Sequence, residues 1–368
     1  SNTRKNNRAS TTRPRTQGTL RFGFCGTVST ITFGNFSINA KVRAAFCPQW
    51  LISLSSNRLK IKNQIIFGKD DRVRSGWRAI VFVIAFVFSG LLFFSAGFAL
   101  LSVLGFDILP GTPPFLVANG VLSLIPALLV GWGCGKLFEG LPYRALGAAF
   151  TGPWFRNFLY GLALGGCTLG VSVAIAMIFG GMRFELNNSS GTKAVAVSLL
   201  SSFLVFAVAS AFEESLFRGY ILQTFARSGL AWLAIAITAV FFGAVHLGNP
   251  NAGLISTANT VLAGIWFGVA YLRTRDLWFV WGLHLMWNFA QGSVFGIEVS
   301  GMNDLVTAPV LKEIDSGPMW LTGTTYGIEG GIACTIAILA SILAIKIVPT
   351  GKEESATEHT EATEIRSY

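Results

Sequence analysis

The chain has 368 residues, of which 52% are hydrophobic and only 12% charged, about half the charged share of a soluble globular chain. That balance excludes an ordinary soluble domain and indicates a protein that crosses a membrane several times. The formal charge of +10 would suggest a nucleic-acid partner if it were spread evenly, but residues 1–78 hold 15 Lys/Arg against 2 Asp while residues 79–368 hold 13 against 16 acids, so no nucleic-acid binding is expected.

Taken in order, residues 1–69 contain 12 Lys/Arg and no acid, with many Ser, Thr and Asn. Lacking any long apolar run, residues 1–77 read as a basic, disordered arm; a targeting segment or an anchor for anionic lipid would share this composition. Eight apolar stretches follow, at 79–106, 115–134, 158–180, 195–217, 231–247, 261–272, 277–295 and 327–348. Since about 20 apolar residues match a bilayer core of about 30 Å, residues 78–349 are expected to form an all-α, multi-pass transmembrane bundle of about eight helices. The connections then alternate in charge. One side carries Lys136, Arg144, Arg156, Arg218, Arg227, Arg273, Arg275 and Lys346, the other only Arg183, Lys193 and Lys312. By the positive-inside rule both termini lie in the cytoplasm. Residues 350–368 read as an acidic, disordered tail. Cys25, Cys47, Cys134, Cys167 and Cys334 show no C-x-x-C spacing, which argues against a disulfide framework or a zinc ribbon.

Two stretches are short. The one at 231–247 ends in the breaker cluster Gly248-Asn249-Pro250-Asn251, and residues 253–260 are too polar for lipid. Irregular backbone at membrane depth is tolerated where it lines a protein-enclosed or wet cavity, so a polar cavity is expected beside His246.

The intramembrane ionisable residues are few, and each is a functional-site candidate because burying charge in a bilayer is costly. Glu213 and Glu214 are adjacent; Glu214 pairs with Arg218 four residues on, while Glu213 points about 100° away. Glu329 heads the last span as a doubtful third acid. His246 follows Phe242 by four residues, and His284 precedes Asn288 by four on one helix face. Singly, such residues are interhelical glue; together, on three helices, they indicate one site. For Glu213 to meet His246, which lies near the far end of its helix, the helix carrying Glu213 must continue past Gly219, to about Thr224.

Glu-Glu-x-x-x-Arg, Phe-x-x-x-His and His-x-x-x-Asn, in this order on successive helices, resemble the three motifs of the CPBP family, the Cys-a-a-X protease and bacteriocin-processing enzymes also called Abi or type II prenyl endopeptidases. The resemblance covers about residues 78–349 and implies an intramembrane endopeptidase of the glutamic type, without a cofactor. It implies that Glu213 and His246 activate water, that His284 and Asn288 form an oxyanion hole, and that Glu214, Arg218 and Phe242 support them. Eukaryotic relatives cut near a prenylated C-terminal cysteine; bacterial ones act on other peptides. The expected partners are the lipid bilayer and a peptide or protein substrate, with no expectation for oligomeric state. The expected location is the bacterial cytoplasmic membrane, with the endoplasmic reticulum or a plastid membrane as alternatives. Other readings are a zinc-dependent membrane metalloprotease using Glu213, His246 and His284, for which the H-E-x-x-H spacing is lacking, a non-catalytic scaffold or immunity-type protein, and a proton-coupled transporter.

Overall fold

In a computed structural model, the residues described are 65–68, 72–302 and 305–347; they lie within one unit, Ser56–Tyr368. The expectations for residues 1–64 and for the acidic tail at 350–368 lie outside them. Eight principal helices follow one another: α1 Ser75–Val103, α2 Pro113–Glu139, α3 Trp154–Gly180, α4 Thr192–Arg227, α5 Ala231–Val245, α6 Leu254–Thr274, α7 Leu277–Phe289 with a π turn over Ala290–Val294, and α8 Ile332–Ala344. The first six, α5 counted with the 3-10 turn that carries it to Gly248, are long and apolar enough to cross a membrane; α7 and α8 are shorter.

Local sequence explains several boundaries. Pro113 and Pro114 open α2, where a missing N–H costs nothing, and Gly140 closes it at φ 70°. Asp276 caps α7 by accepting from the Trp278 backbone N–H, and its other oxygen receives Asn157 of α3. The first helix starts at Ser75, inside the stretch assigned to the arm. Before it, Phe67 pairs with Val73, and Trp77 donates to the Ile65 carbonyl.

Residues 253–260 are a correction. The stretch expected to be irregular is helical from Leu254 on, and its polar side chains turn into the protein. Asn259 donates to the carbonyls of Glu329 and Gly331 and accepts from Thr335, so α6 meets the head of α8 through hydrogen bonds that lipid could not offer.

The closest helix pair is α3 with α7. A Cβ on Gly161 would lie 2.0 Å from the Phe279 carbonyl oxygen, one on Gly165 2.2 Å from that of Leu283, and one on Gly282 2.4 Å from that of Phe158. Glycines spaced four apart thus let two backbones touch, the small-residue packing that holds membrane helices together where no hydrophobic effect can. By this contact α3 fixes the height and rotation of the α7 segment that carries His284.

The described residues also include a two-stranded antiparallel sheet, β1 Arg183–Leu186 with β2 Leu311–Ile314, joining the connections after α3 and after α7. On β2, burial pushes the Glu313 carboxyl up to about 8, helped by Glu298 and Asp315 nearby. Between its ordinary range and pH 8 the folded chain therefore binds a proton that the unfolded chain has released. Stability is then lost as pH rises through this window. Glu313→Gln is expected to melt with wild type at pH 5 and above it at pH 8.5 in detergent melting curves; a wild-type advantage at pH 8.5 would refute the assignment.

Candidate active site

Of the residues singled out by sequence, Glu213, Glu214, Arg218, Phe242, His246 and His284 are joined by contacts where α4, α5, α6 and α7 meet. Helix α4 does continue past Gly219, to Arg227, but not as a regular α-helix: Ser215–Ile221 is a π segment starting directly after Glu214. Such wide turns are frequent at functional sites. One carbonyl in it, that of Arg218, receives the buried Gln223 side chain.

The two adjacent carboxylates have different environments. Glu214 is 1% exposed and its Oε1 accepts both from Arg218 Nη1 at 3.1 Å and from His284 Nδ1 at 2.9 Å. Arg218, fully buried, donates through Nη2 to the Gly264 carbonyl on α6 and lies over three aromatic rings, Phe242, Phe267 and Phe217, at 4.8, 5.1 and 5.6 Å. A guanidinium suits this place because its faces take aromatic rings while its edge takes the acceptors. Glu213 is 27% exposed, and its buried Oε2 has no hydrogen-bond partner, 4.0 Å from His284 Nε2.

His284 stacks on Phe267 with centroids 4.6 Å apart and is met edge-on by Phe242 at 6.1 Å. The same Phe242 ring touches the His246 imidazole at 4.7 Å, so both histidines and Arg218 are gathered around one phenyl ring. His246 is half-buried and its Nδ1–H donates to the Phe242 carbonyl at 2.7 Å. A carbonyl can only accept, so the proton sits on Nδ1 and Nε2 is left as a base. Asn288 is half-buried one turn beyond His284 and forms no side-chain hydrogen bond among the described residues.

Among the described residues no three His, Cys, Asp or Glu side chains are arranged to hold a metal ion. Aromatic rings pack directly on the polar groups of the site, and Glu213, His246 and Asn288 are its partly exposed members.

Sequence reasoning missed three things. Phe267 and the Gly264 carbonyl, one helix away, complete the Arg218 and His284 environments, and no spacing in α6 announces them. Glu139 is a further buried acid, 4% exposed, bridged by Arg78 at 2.9 Å and by Arg227 at 2.9 Å. It sits at the end of α2, where it reads as a loop residue. Glu329, the doubtful third acid, is bound by Trp287 and Ser300 and stands apart from Glu213 and Glu214.

A membrane-embedded helix bundle that buries a carboxylate–imidazole–guanidinium cluster and sets a second, more exposed carboxylate 4.0 Å from its imidazole has the parts for hydrolytic chemistry. Residues 194–290 match the family model described as type II CAAX prenyl endopeptidase Rce1-like, a match that spans Glu213 to Asn288 and supports membership of the CPBP family of CAAX-type intramembrane proteases. No curated protein matches the chain.

Proposed function

We propose that the chain is a glutamate-dependent intramembrane endopeptidase, hydrolysing a peptide bond in a membrane-associated substrate, such as a segment near a C-terminal Cys-a-a-X-like or lipid-linked end. The observation that carries this reading is the unequal treatment of the neighbouring acids: each keeps one oxygen without a hydrogen-bond partner, but Glu214 is 1% exposed and committed through Oε1 to Arg218 and His284, while Glu213 is 27% exposed and forms no short ion pair, its Oε2 lying 4.0 Å from His284 Nε2. Glu213 takes a proton from water, and His246, with Nε2 open, shares in holding that water. The hydroxide adds to the scissile carbonyl, and the charge that develops on its oxygen is met by donors from His284 and Asn288. Collapse of the adduct breaks the C–N bond, and the leaving amine takes the proton that Glu213 had accepted, which returns Glu213 to the carboxylate. His284 gives Nδ1–H to Glu214, so it offers a second N–H from Nε2 only as the imidazolium, a charge the Glu214 carboxylate supports.

The test is peptide cleavage by purified protein in detergent, with metal content measured alongside. Asn288→Ala is expected to lower kcat by about 10²-fold with KM nearly unchanged, since the lost contact is made mainly in the transition state. Stoichiometric zinc in the wild type, released in His284→Ala and retained in Asn288→Ala, would overturn the glutamate reading in favour of a metalloprotease.

A further inference from the structure

Away from the acids of the site, one carboxylate takes a hydrogen bond from the helix that carries His284 and is linked through Ser300 to the turn that follows His246. Glu329 sits in a 3-10 turn over Ile328–Gly330, just before α8. Its Oε1 accepts from Trp287 Nε1 at 3.1 Å, and Trp287 lies on α7 between His284 and Asn288. Its Oε2 accepts from both the backbone N–H and the hydroxyl of Ser300, each at 2.7 Å. Ser300 in turn receives, on its carbonyl, the Asn249 side chain at 3.1 Å, three residues beyond His246. The breaker cluster after α5 is thus held rather than loose: besides Asn249, Asn251 donates to the Thr325 carbonyl.

The surrounding backbone is built for this contact. Ser300 takes φ 50°, a left-handed conformation that serine adopts only when held there. A Cβ on Gly301 would lie 2.0 Å from the Pro250 carbonyl oxygen, and one on Gly327 1.8 Å from that of Glu298. Three connections, after α5, after α7 and before α8, therefore touch backbone to backbone around a single side chain. All three groups facing Glu329 are donors: an indole N–H, an amide N–H and a hydroxyl. Only a carboxylate supplies acceptors on both of its arms; a glutamine would turn an NH2 toward one of these donors.

We infer that Glu329 is a positioning residue that sets His246 against the His284–Asn288 pair, through Ser300 and Asn249 on one side and Trp287 on the other. Its kinetic consequence rests on the protease reading above, whereas its geometric consequence does not.

The experiment uses the full chain in detergent with three readouts: kcat and KM on a peptide, the melting temperature, and the rate at which diethylpyrocarbonate modifies His246, measured by mass spectrometry with His359 as the internal reference. Glu329→Gln is expected to lower kcat about tenfold or more with KM within about twofold, because a small misplacement of catalytic groups is costly while ground-state binding is made elsewhere. It is also expected to change the His246 modification rate by about threefold or more relative to His359, as the imidazole leaves its set place. Adding Asn249→Ala to Glu329→Gln is expected to lower kcat by less than about twofold more, since both act along one chain of contacts. A kcat near wild type, or a lowered melting temperature with His246 reactivity unchanged, would overturn the inference. Should the wild type cleave no peptide, the protease reading fails, and unchanged His246 reactivity in Glu329→Gln would then overturn the positioning role as well. Should Glu329→Gln not fold, Asn249→Ala and Trp287→Phe decide: the first must alter His246 reactivity and the second must lower kcat, and failure of either overturns it.

Discussion

Glu213→Gln is expected to yield a protein that inserts and melts like wild type but cleaves no peptide. The amide keeps the shape of the side chain and can still accept a hydrogen bond, but it cannot take a proton from water. Loss of a general base costs about 10² to 10⁴ in rate, and the adjacent Glu214 cannot stand in. Glu214 already accepts from Arg218 and His284 on one oxygen and is 1% exposed, so it has neither the freedom nor the access to replace Glu213. Little stability is at stake, because Oε2 makes no hydrogen bond and its contact with His284 Nε2 is long, at 4.0 Å. The measurement is turnover on a peptide beside a melting curve, and cleavage at near the wild-type rate would place the base elsewhere.

The second large effect runs the other way, through stability. Glu214→Ala removes the carboxylate facing a fully buried Arg218 and strips His284 of its Nδ1 acceptor in the same step. Breaking one half of a buried pair costs about 3 to 5 kcal/mol because the remaining charge is left uncompensated. The three aromatic rings and the Gly264 carbonyl around Arg218 soften that cost without cancelling it. Expression and melting temperature should both fall, and activity with them, since His284 is no longer held. Melting unchanged from wild type would show that Glu214 is not structural.

What could be read from sequence was what each segment carries by itself. A run of about 20 apolar residues needs no knowledge of its neighbours to be placed in a bilayer, which is why the eight helices were legible. The separation of Glu213 from Glu214 follows from helical geometry alone and matches their contrast in burial. The rest depends on partners far along the chain. Residues 253–260 look too polar for a membrane helix until Asn259 is seen to bond the Glu329 carbonyl 70 residues away. Glu139 looks like a loop acid until Arg227, 88 residues on, closes over it. The β1–β2 pairing joins two connections that are unremarkable when read separately.

The wide turns in α4 and α7 reach further than their length suggests. A π turn holds one residue more than an α turn, so the helix beyond it is rotated by about 100° from where a regular helix would have carried it. In α4 the break falls between Glu214, which faces His284, and the pair Gln223 and Arg227, which face the Leu146 carbonyl and Glu139. In α7 it falls just past Asn288. Each helix behaves as two rods joined out of phase, one half tuned to the active groups and the other to the bundle that holds them. Removing one residue from 219–221 would spare every motif yet swing Arg227 off Glu139. In a relative, a residue gained or lost at this place is a change of phase between two halves of one helix, and not a change of length.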